Sequence, residues 1–124
     1  MNNNKELILE DLESNLEKIR EHEINIMTKN PYQIRYVNRF LNVYRGIGNT
    51  HHLVNLAKEN HCFLVVPNLH LSNDIQKIHN YKYVGTSSNL PRNKEYIVDS
   101  ITAEELEKII SKNGKEPIAG LVIY

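Results

Sequence analysis

The sequence predicts a three-layer α/β sandwich, with a short, mostly parallel sheet of about four strands behind an N-terminal helical extension. Two observations carry this. Short apolar runs such as Cys-Phe-Leu-Val-Val-Pro at 62–67 alternate with segments of helical periodicity, and strand–helix alternation winds into a parallel, right-handed sheet. The 124 residues suffice for one buried core and not for two. The expected division is an N-terminal amphipathic helix in 1–30 and a small α/β domain in 31–124.

The elements follow in order. In residues 5–27, Leu9, Leu12, Leu16 and Ile19 recur at helical spacing, with Glu6, Glu10, Glu13, Glu17 and Lys18 on the other faces. This stripe packs on its own domain or forms an interface for a protein partner or a second copy. Asn30-Pro31 reads as the start of a second helix, with Ile34, Val37, Leu41 and Tyr44 on one face and Gly46 as its left-handed cap. A third helix begins near Thr50, with Leu53, Leu56 and Ala57 inward. The apolar run ending at Pro67 reads as a strand buried on both faces. Ser72 caps a short helix, strands follow at 81–86 and 94–99, and Thr102 with Glu105 forms a capping box for a helix that ends at Gly114. The stretch 118–124 is the last strand.

Composition excludes several classes. Fifteen basic and fifteen acidic residues cancel, so no net field steers the chain onto nucleic acid or an anionic membrane. No apolar run approaches the ~18–20 residues that cross a bilayer, and the acid-interrupted N-terminus lacks a signal-peptide core. A single cysteine, Cys62, points to a reducing cytoplasm. The six histidines offer no converging ligand set, because His51-His52 and His61-Cys62 are adjacent pairs that diverge. No metal and no cofactor are expected.

The glycine-rich stretch 43–50, Val-Tyr-Arg-Gly-Ile-Gly-Asn-Thr, carries the most chemistry. A phosphate loop of the form G-x-x-x-x-G-K-[S/T] wraps phosphates in backbone N–H groups, neutralises them with lysine, and binds magnesium through the hydroxyl. Aligned on its threonine, this stretch keeps Arg45, Gly46, Gly48 and Thr50 but puts Val43 at the first glycine and Asn49 at the lysine. On one reading Arg45, Gly46, Gly48, Asn49, Thr50 and His51 form an anion site at a helix N-terminus. Arg45 or His51 would then supply the charge, and Asn49→Lys would strengthen binding. On the other reading the glycines merely join two helices. A phosphate loop is fed by a strand, and residues 34–44 fit helical spacing better, so the second reading is expected. The hydroxyls of 86–88 and the Arg45, Arg92 and Lys94 set are further candidates for an anion.

The segment from Arg45 onward resembles phage-type P-loop proteins whose loops read R-G-x-G-K-T. Leu53–Asn68, Ile101–Ile110 and Ile118–Tyr124 fall in the order that such a domain would have. The resemblance implies a nucleotide scaffold, but no acid follows the strand at 118–124, and Asp99 stands on a different strand as a substitute. Without the lysine, phosphoryl transfer would lack most of its charge stabilisation. The expected function is therefore a non-enzymatic interaction protein of a phage or mobile element, binding a host or viral protein on a degenerate P-loop-like scaffold. The alternative is a nucleotide or phosphate sensor that binds without hydrolysing.

Overall fold

A computed structural model describes residues 17, 18, 21, 22, 24, 25, 29–38 and 49–124. Five strands form one sheet: β1 (Ile34–Val37), β2 (Phe63–Val65), β3 (Val84–Gly85), β4 (Tyr96–Thr102) and β5 (Ala119–Ile123). Their spatial order is β1-β5-β4-β2-β3, and every pairing is parallel. Among the described residues, three helices lie between them: α1 (Asn49–Asn60), α2 (Leu69–His79) and α3 (Ala103–Asn113). Residues 17, 18, 21, 22, 24, 25 and 29 are helical and exposed. The apolar stripe at Leu9, Leu12, Leu16 and Ile19, read from the sequence as a candidate interface, lies outside the described residues.

The three layers follow from two apolar clusters, one on each face of the sheet. Leu53, Val54, Leu56 and Ala57 of α1 and Ile75 of α2 pack on Val37, Leu64, Ile97 and Leu121. Leu106 and Ile109 of α3 cover Val65, Tyr96, Val98, Ile101 and Val122 on the other side. Strands buried on both faces read as continuous apolar runs, which is why 62–67 and 118–124 were legible.

One expectation is overturned. Residues 34–37 are a strand, not part of a helix, and they bring the sheet of about four strands to five among the described residues. Ile34 and Val37 fit a helical stripe, but over four residues that period cannot be told from alternation. Pairing decides it: Ile34 aligns with Gly120, and Val37 with Ile123. Burial then alternates, with Arg35 and Val37 buried and Tyr36 exposed.

Smaller corrections concern caps and lengths. Asn68, not Ser72, caps α2, its side chain accepting from the Leu71 N–H at 2.8 Å. Ser72 lies inside the helix and donates to the Val84 carbonyl. The strand expected at 81–86 contracts to Val84–Gly85. Thr102 does cap α3, accepting from the Glu105 N–H, and Gly114 closes it at φ 93°.

Gly120 sits where three strands meet, aligned with both Ile34 and Val98. A Cβ there would meet a Val98 side-chain carbon and stand 2.7 Å from the Val98 carbonyl oxygen. Because the obstruction is partly backbone, it has no rotamer to yield. Gly120→Ala should therefore cost about 1–3 kcal/mol of folding stability, read by denaturant unfolding. An unchanged unfolding midpoint would show that the β4–β5 spacing relaxes.

Candidate functional site

Helix α1 begins at Asn49, at the carboxyl edge of the sheet, downstream of β1. Its first two residues are both engaged from the sheet beneath. Thr50 Oγ1 donates to Asp99 Oδ2 at 2.8 Å. Arg35 Nη2 donates to Asn49 Oδ1. Asp99, Arg35 and Asn49 are all buried, at 1, 8 and 7% exposure, so this is a polar cluster inside the protein. Thr50 is half-buried.

A break in β4 aims Asp99 at α1. Val98 aligns with Gly120 and Ile101 with Val122, so β4 holds one residue more than β5 over this interval. Ser100, at φ 57°, takes the left-handed conformation of that bulge. The extra residue shifts the alternation. Ile97 and Asp99 face α1, while Ile101 faces α3 instead of sharing Asp99's side. Ser100 Oγ then donates to Asp99 Oδ1 at 3.1 Å.

Burial pushes the Asp99 carboxyl above the ordinary carboxylate range, and the hydrogen bonds from Thr50 and Ser100 and the charge of Arg35 pull it back part of the way. Burial lowers His52, and the same Arg35 charge lowers it further. Burial also pushes the Cys62 thiol up to about 11, which suits an inert core thiol and not a nucleophile.

The other residues singled out from the sequence scatter. Arg45, Gly46 and Gly48 lie outside the described residues. His51 is exposed, hydrogen-bonds Asn55 at 3.2 Å and faces the His79 ring at 5.7 Å. Arg92 and Lys94 precede β4, at the edge of the sheet opposite Thr50, where Asn113 of α3 holds the Pro91 and Lys94 carbonyls. They lie too far from Thr50 to share one anion site with it. The hydroxyls of 86–88 follow β3, at the far side of the sheet from β1, and Thr86 and Ser88 hydrogen-bond each other. Among the described residues, no three His, Cys, Asp or Glu side chains gather as a metal cluster, and no helix is long and apolar enough to cross a membrane.

Arg35 was missed by sequence reasoning, which placed it on a helix. The signal was present: a lone cation inside the β-branched run Ile-Arg-Tyr-Val. No protein-family model, curated protein or solved structure matches the chain.

The raised Asp99 carboxyl has a consequence for stability. As pH rises from about 4, the unfolded chain ionises this group first, so folding stability falls until the raised folded value is passed. Acidification restores it. Asp99→Asn keeps the shape and removes the titration. The stability of wild type relative to Asp99→Asn, measured by denaturant unfolding at a series of pH values, should fall as pH rises above about 4. Parallel profiles would show that the carboxylate ionises in place at no cost.

Proposed function

We propose that the chain is a phosphate-binding domain that takes a nucleotide without hydrolysing it. The observation that carries this reading is the Thr50–Asp99 hydrogen bond at the start of α1. It joins the hydroxyl that a phosphate loop would offer to magnesium with the acid that such a loop needs on a neighbouring strand. The strand β1 upstream supports the same reading, since a phosphate loop is fed by a strand and ligands gather at the carboxyl edge of parallel sheets.

The donor set fits a nucleotide-borne magnesium ion. Magnesium takes one or two protein oxygens, keeps several waters and binds the rest of its shell from phosphates. Thr50 would give a hydroxyl and Asp99 a carboxylate. The first-turn N–H groups of α1 would receive the phosphates. Turnover is not part of the proposal, because Asn49 cannot follow the charge that develops on a transferring phosphoryl group. A cytoplasmic setting belongs to the proposal, resting on the single cysteine. No described residue favours the partner-binding reading over this one.

Thermal unfolding with ATP or GTP, with and without magnesium, tests the proposal. A nucleotide at ~100 times its Kd should stabilise by about 2.7 kcal/mol, and Thr50→Ala should abolish the magnesium-dependent part. No shift with either nucleotide would overturn binding. A magnesium-dependent hydrolysis lost in Thr50→Ala would overturn the claim of binding without turnover.

A further inference from the structure

The motif lacks its cation at position 49, yet a cation stands directly against that position. Arg35 reaches from β1 to the Asn49 side chain, and both are more than nine-tenths buried. A guanidinium has donors and no acceptor, so a neighbour in hydrogen-bond reach must supply oxygen. The asparagine amide does. A lysine at 49 would instead set an ammonium against the guanidinium inside the protein, where repulsion is poorly screened.

We propose that Arg35 and Asn49 are an exchanged pair: the cation of the site has moved from position 49 on α1 to position 35 on β1, and asparagine stands at 49 because Arg35 requires an acceptor there. Arg35 is then a positioning residue. It fixes the first turn of α1 through Asn49 and supplies positive charge beneath the turn that would receive the phosphates. The charge acts beyond this pair, since it also bears on Asp99 and His52. The ligand part of the inference, and the alignment of position 49 with a phosphate-loop lysine, rest on the phosphate reading above; the incompatibility of a second cation at 49 with Arg35 does not.

Four full-length proteins test it: wild type, Asn49→Lys, Arg35→Gln and the double variant. Each is melted alone and titrated calorimetrically with magnesium and inorganic triphosphate. Asn49→Lys should lower the melting temperature by about 5 °C or more and bind triphosphate no more tightly than wild type. Arg35→Gln should weaken binding at least ~10-fold, the loss of one charge-assisted interaction. The double variant should melt above Asn49→Lys and bind within ~3-fold of wild type, well inside the factor that a single charged contact controls.

Additive melting shifts, or an Asn49→Lys protein that is as stable as wild type and binds more tightly, would overturn the exchange. Arg35→Gln binding as wild type does would overturn the cation role. If Arg35→Gln fails to fold, a folded double variant supports the exchange and an unfolded one overturns it. Should none of the four bind triphosphate, the phosphate reading and the cation role fall together, while the melting shifts still decide whether 35 and 49 exchange charge.

Discussion

The burial of Asp99 in the middle of a parallel sheet is the constraint on which the rest of this site depends. A carboxylate with 1% exposure is tolerable only if hydrogen bonds and opposite charge replace the water it gave up. Three elements supply them. Ser100 comes from the bulge of β4, Thr50 from the first turn of α1, and the Arg35 charge from β1. Because these groups lie far apart in sequence, the carboxylate fixes where α1 begins relative to β1 and β4. Among the described residues, no buried side-chain polar atom lacks a partner, so the network carries no obvious defect.

The two apolar clusters make that polar cluster possible. Leu53, Val54 and Ala57 seat α1 on Val37, Ile97 and Leu121, which brings its first turn over the row containing Arg35 and Asp99. On the other face Ile101, moved there by the bulge, joins Leu106 and Ile109 under α3. One left-handed residue, Ser100, thus serves both layers: it turns an acid toward one helix and an apolar side chain toward the other. Such strain persists where its surroundings over-determine it, and an active or binding site is a common reason for keeping it.

Much of the fold was legible in the sequence, because buried parallel strands and capped helices leave strong local signals. The run 62–67, the Thr102 cap and the Gly114 stop each belong to that kind. The site was less legible, for two physical reasons. Four residues of β1 cannot distinguish a period of 2 from one of 3.6, so Arg35 was placed on a helix and its buried position was invisible. Asp99 was noted as a substitute acid, but nothing local to residues 96–102 announces a bulge. Whether Asp99 faces α1 or α3 turns on a single extra residue against β5, a long-range fact that no window of sequence contains. Arg92 and Lys94, which precede β4, raise a related problem. Closeness to the strand in sequence does not say which edge of the sheet a residue occupies.

Asn49 shows why a departure from a motif is hard to interpret one position at a time. On the phosphate-loop alignment, asparagine at 49 taken alone would say that a charge has been lost. Beside a buried arginine it says that the charge stands elsewhere, and the two statements differ in what the site can do. A lysine on a flexible stem can follow a phosphoryl group as its charge redistributes in the transition state, and catalysis depends on interactions that strengthen there. A guanidinium held beneath α1, with one of its N–H groups donated to Asn49, could offset the charge of a bound phosphate but could not track it. A site built on that exchange would favour ground-state binding over turnover. On the proposed reading, binding without hydrolysis would follow from where the cation sits, and not from a motif that has merely decayed.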